Sequence, residues 1–148
     1  MAVFVADEQD RSVDTRDLAL LARHVMLEQR VPAEMELSLL LVDEETIAAL
    51  NAQHMGATGP TDVLAFPIDE PGESPPAGPA VLGDVVLCPA VAEHQAGLAG
   101  HDVAAELRLL TVHGILHLLG MDHATPGEER RMFALADELL ASYGKARP

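Results

Sequence analysis

The chain has 148 residues and a mass of 15.7 kDa, which is about one domain's worth of polypeptide, and we read 1–148 as a single domain. Hydrophobic residues make up 49% of it, enough for a core, and the single cysteine, Cys88, excludes a disulfide scaffold and favours a reducing compartment. Nine Lys plus Arg against 24 Asp plus Glu leave a formal charge of −15, which argues against holding nucleic acid by general electrostatics.

The opening MAVFVADEQD lacks the basic and long apolar stretches of a signal peptide. No later run approaches the roughly 18 apolar residues that span a bilayer, so a cytoplasmic protein with no membrane partner is expected. Val3 to Val5 read as a short first strand. From about Asp14 to Arg30, apolar Leu18, Leu21, Ala22 and Val25 recur at a helical period, and Pro32 closes the segment. LSLLLV, 37–42, is too short for an isolated helix and runs into acidic Asp43, Glu44 and Glu45, the signature of a buried strand followed by a helix to about His54. Strand, helix, strand implies a right-handed parallel crossover.

DVLAFPI, 62–68, and VLGDVVLCP, 81–89, read as two further strands around DEPGESPPAGPA, 69–80. Its prolines and glycines exclude a helix, and a loop of that length is expected to be mobile. Three helices complete the pattern: Pro89 to about Leu98, Asp102 as N-cap to about Leu119, and about Pro126 to Tyr143.

The chemistry concentrates in HGILHLLGMDH, 113–123. His113 and His117 lie one turn apart on the helix and project from one face. Gly120 is placed to turn the chain at the helix end so that His123 can return as a third ligand. Three imidazoles with a fourth position open describe a catalytic zinc site, whereas structural sites are closed by four protein ligands. The spacing is similar to the metzincin signature H-E-x-x-H-x-x-G-x-x-H, with Gly114 where the protease carries its glutamate base, which argues against peptidase chemistry. Asp122 could accept the second ring N–H of a bound histidine or could serve the helix turn. Asp84, a carboxylate inside an apolar strand, is the candidate catalytic residue. His24, His54, His94 and His101 lack ligand geometry, and Cys88 reads as a small buried hydrophobe.

These residues resemble the YbeY family of bacterial ribosomal-RNA maturation endoribonucleases, whose signature is H-G-x-L-H-L-x-G-x-D-H. GPTDVLAFP, 59–67, is similar to the family's P-T-[ND]-V-L-S-F-P stretch. Leu50 and Asn51 stand at its spacing before that stretch, and LGDVVLCP resembles its L-G-D-[IV]-x-I segment. The resemblance covers nearly the whole chain. It implies a small α+β metal-hydrolase domain with a mixed four-stranded sheet and one zinc held by His113, His117 and His123. It also implies single-strand RNA cleavage in maturation of the 16S precursor 3′ end and in ribosome quality control, with the small ribosomal subunit and its assembly factors as partners. Met55, Thr61 and Asp62 are the substrate-facing candidates, Met55 standing where the family commonly carries an arginine. A metal-dependent hydrolase of another substrate and a non-catalytic ribosome-assembly factor with a bound metal are the alternatives. Cleavage could proceed by a metal-bound hydroxide or by attack of the substrate's own 2′-OH, and the sequence does not choose between them.

Overall fold

The computed structural model describes residues 2–71 and 78–146. The centre of the proline-rich loop, 72–77, where the expectation of mobility falls, therefore lies outside the described residues. In chain order the elements are β1 (Ala2–Asp7), α1 (Thr15–Glu28), β2 (Glu36–Leu41), α2 (Glu44–Met55), β3 (Val63–Pro67), β4 (Val81–Leu87), α3 (Pro89–Ala99), α4 (Val103–Leu118) and α5 (Pro126–Ala146).

Aspartates start three of the helices, because a carboxylate at the N-cap satisfies a main-chain N–H that the first turn leaves free. Asp14 accepts from Asp17, Asp43 from Thr46 and Asp102 from Ala105. Gly56 and Gly100 end α2 and α3 in the left-handed region, where a glycine carries no Cβ penalty.

The sheet order is β1-β2-β4-β3. β1 pairs in parallel with β2 and β2 in parallel with β4, while β3 runs antiparallel on β4 as an edge strand. This is the mixed sheet that the resemblance implies, and β1 with α1 and β2 forms the expected parallel connection. β1 is longer than its apolar centre predicts, since Ala2 through Asp7 all find register partners on β2.

The two faces of the sheet are unequal. Leu37, Leu39 and Leu41 of β2 and Val85 and Leu87 of β4 are buried in the main core beneath α1, α4 and α5. Side chains alternate across a strand, so Leu40 and Val86 point the other way, into a smaller cluster with Val42, Ile47, Leu64 and Cys88. LSLLLV is thus fully buried on one face only. The buried α4 side chains Leu107, Leu110, Val112, Ile115 and Leu116 lie in the core; each contributes roughly 1.5–3 kcal/mol on burial.

One polar cluster joins the helical layer. Arg108 Nε donates to Asp17 Oδ2 at 2.8 Å, and Tyr143 OH donates to Asp17 Oδ1 at 2.7 Å, tying α1, α4 and α5 together. Among the described residues, no helix is long and apolar enough to cross a membrane.

Candidate functional site

α4 presents His113 and His117 on one face, and its end is built to bring His123 back toward them. Gly120 has φ 93°. Its N–H bonds the carbonyl of His117 and the N–H of Met121 bonds that of Leu116, both at 3.0 Å. Those two bonds form a Schellman motif, the helix ending that needs a left-handed residue at that position. The turn leaves the ring of His123 edge-on to that of His117, with centroids 5.1 Å apart.

His113 is deeper in the site. Its Nε2 is buried and has no hydrogen-bond partner. Burial, and next the neighbouring His117, push its imidazole below the ordinary histidine range, so the ring is held neutral. An orphaned, neutral imidazole nitrogen is the donor that a borderline metal ion accepts, and leaving one unsatisfied otherwise costs free energy. Among the described residues no three His, Cys, Asp or Glu side chains already converge at ligating distance. The orphaned His113 nitrogen, with His117 and His123 in the same cleft, fits a metal in donor chemistry, while the three rings stand short of ligating distance.

His117 and His123 line a cleft of about 650 Å³ between the α4 end and β3, and His113 lines its second lobe. Met55, Thr61 and Asp62 line it too, together with Asp122, so the substrate-facing candidates and the histidines come to one place. Asn51 helps to position the loop that carries them: its side-chain N–H donates to the Gly59 carbonyl at 3.0 Å. Asp62 Oδ1 accepts the Val63 N–H at 2.8 Å, and its main-chain carbonyl accepts the Cys88 N–H at 2.9 Å, locking the residue against the start of β3. Past the histidines the cleft continues into a second lobe of about 390 Å³, where Glu106, Glu129 and Phe133 join the lining.

Two expected participants stand differently. Asp84 does not line the cleft. It follows Gly83 and precedes Val85, and Val85 meets α4 at Gly114, so strand alternation points the Asp84 carboxylate to the opposite face, between its register partners Ser38 and Phe66. Asp122 Oδ1 accepts the main-chain N–H of His123 at 2.7 Å, a bond within the turn that follows α4.

Gly114 has a packing reason of its own. A Cβ there would meet Val85 Cγ1 at 2.6 Å, so the glutamate found at the corresponding protease position has no room against β4. Three of the other four histidines take ordinary partners: His24 with Ser142, His54 edge-on to Phe66, and His101 with Glu106. Burial pushes the Cys88 thiol up, in keeping with an inert hydrophobe. Phe133 is the residue that sequence reasoning missed. It stacks on the His113 ring at 5.1 Å from a helix twenty positions later, a distance that no local pattern encodes.

A family model described as Endoribonuclease YbeY matches residues 4–144. The endoribonuclease YbeY of Salinispora tropica is 55% identical, with 99% of each chain covered. That of Nocardioides sp. is 55% identical over 97% of this chain and 98% of its own. The solution structure of TM1509 from Thermotoga maritima shares the fold at 23% identity and a TM-score of 0.61, covering 98% of this chain and 93% of that one.

Proposed function

Because the chain belongs to the YbeY family, we propose that it is a zinc-dependent endoribonuclease that cuts single-stranded RNA, acting in the cytoplasm on the 3′ end of the 16S rRNA precursor. Its partners in this reading are the small ribosomal subunit and its assembly factors, and its wider role is ribosome quality control. The observation that carries the reading is the orphaned, buried Nε2 of His113 in a cleft that also holds His117 and His123.

His113, His117 and His123 would hold one zinc. When bound, the ion lowers the pKa of a coordinated water to about 7 and polarises a phosphoryl oxygen. The chain's own residues supply the rest. Gly114 provides no carboxylate beside the first histidine, so a proton must go elsewhere. We assign that role to Asp62, which lines both lobes together with His117 and His123 and whose Oδ1 is held by the Val63 N–H. Thr61, hydrogen-bonded to Asp62 Oδ1 at 3.3 Å, keeps that carboxylate oriented. β3, the edge strand of the sheet among the described residues, forms the wall along which an extended strand would lie.

The test is cleavage of labelled 16S precursor RNA by metal-quantified protein, alone and with small ribosomal subunits. About one zinc per chain is expected, with cutting and zinc lost together in His117→Ala. A metal-free wild type, or a His117→Ala protein that cuts as well as wild type, would overturn the reading. A metal-dependent hydrolase of a less anionic substrate is the second reading, favoured because no Lys or Arg is found among the described residues lining either lobe.

A further inference from the structure

Among the described residues no Lys or Arg lines either lobe of the cleft, yet four carboxylates, Asp62, Glu106, Asp122 and Glu129, line them, and the whole chain carries −15. Contacts to phosphate, which ordinarily supply most of a nucleic-acid protein's affinity, are therefore scarce at this site. A strand that enters must be held largely by something other than its backbone. The available alternative is the nucleobase face, which stacks on aromatic rings independently of charge.

Phe133 is placed for that. The chain has only three phenylalanines and one tyrosine. Phe4 is on β1, at the far edge of the sheet, Phe66 packs with the smaller core cluster and His54, and Tyr143 is buried against Asp17. Phe133 alone among them lines the cleft. Its ring lies on His113 with centroids 5.1 Å apart and planes 28° apart, and the residue remains 44% exposed. One side of the ring rests against a histidine, and the exposed remainder of the residue leaves surface on which a second planar ring can stack.

Resting on the RNA-cleaving reading, we propose that Phe133 is a base-stacking platform that seats one nucleobase of the single-stranded substrate beside His113, so that recognition runs through bases more than through phosphates. A base seated there puts its own phosphodiester within a nucleotide's length of the three histidines. The platform is thus a positioning subsite in the second lobe, in contact with His113 but donating no atom to a metal. Arg130 and Arg131 of α5 are exposed but do not line the cleft, so they do not supply the missing backbone contacts inside it.

The experiment compares binding of a short fluorescent single-stranded RNA with that of an abasic oligomer of the same length and charge, the recovered RNA being checked for intactness on a gel. Wild type, Phe133→Ala and Phe133→Trp are measured as purified, and zinc per chain is determined for each. Wild type should prefer the base-bearing strand. Phe133→Ala should weaken that binding roughly 5- to 150-fold, the range for loss of one stacked base, and leave abasic binding and zinc content unchanged. Phe133→Trp should restore the affinity. Equal weakening towards both oligomers, or zinc lost in Phe133→Ala, would show that the ring only supports His113 and would overturn the platform. RNA binding by wild type that Phe133→Ala leaves unchanged would overturn the platform alone. No binding of any single-stranded RNA by wild type would overturn the platform and the RNA reading together.

Discussion

At Gly114 two effects of similar size compete. Alanine is favoured over glycine inside a helix by about 1 kcal/mol. Against this, the new methyl would approach Val85 Cγ1 at 2.6 Å and Cγ2 at 3.1 Å. Val85 is β-branched, stiff about χ1, and sits on β4 between two paired strands, so it yields little. Overpacking of this kind costs about 1–3 kcal/mol and should prevail. Gly114→Ala is therefore expected to lower the melting temperature by a few degrees, at roughly 2–4 °C per kcal/mol for a chain of this size. In a Val85→Ala background the same change should cost less. Calorimetry on the four proteins of that cycle checks both statements, and a Gly114→Ala protein as stable as wild type would mean that α4 shifts freely on the sheet. The same contact shows why the absence of the protease glutamate was legible in the sequence while its cause was not: the spacing displays Gly114, but only the α4–β4 packing displays Val85 beneath it.

At the scale of elements, the helix ends were legible because their signals are local. Asp14, Asp43 and Asp102 are N-caps one residue before the helices they open, and Pro126 begins α5 as expected. What joins the elements is not local. Asp17 meets Arg108 and Tyr143 across separations of 91 and 126 residues, and nothing at any one of the three announces the others. Asp84 is a related case. Its polarity inside a strand is visible, but which face it occupies relative to α4 depends on which face α4 covers. The Asp17 cluster also carries a prediction. Tyr143→Phe deletes one hydrogen bond to a carboxylate and should cost about 1.5–3 kcal/mol. Asp17→Ala should cost more, about 3–5 kcal/mol, because it strands the part-buried Arg108 guanidinium. Urea unfolding of both variants measures the difference, and the opposite order of losses would show that the tyrosine, and not the ion pair, holds α1, α4 and α5 together.

For the molecule as a whole the governing quantity is charge. A net −15 repels a polyanion at long range, and salt relieves that repulsion while it weakens any specific phosphate contact. Met55 lies in the cleft and is 61% exposed, an apolar side chain at a wall that the RNA reading sets against a phosphate backbone. Met55→Arg should add one charge-assisted phosphate contact. Single-strand RNA binding should tighten, and its log–log salt dependence should steepen by about 0.7, with zinc content unchanged. Titration at several salt concentrations reads the slope, and equal slopes for the two proteins would place residue 55 outside the substrate path.

The ending of α4 has a consequence for folding. All three histidines fall within eleven residues, 113–123, and their approach depends on one helical turn and one glycine reversal more than on distant strands. A peptide stretch that visits that turn, even in an otherwise denatured chain, brings the first two imidazoles together again. A zinc ion held as we propose would then retain some affinity for the unfolded ensemble, and ligand binding to both states reduces the linkage that otherwise stabilises a native fold. Saturating metal should protect this fold against heat by less than its affinity for the native site implies, since the ligands travel together wherever the chain goes.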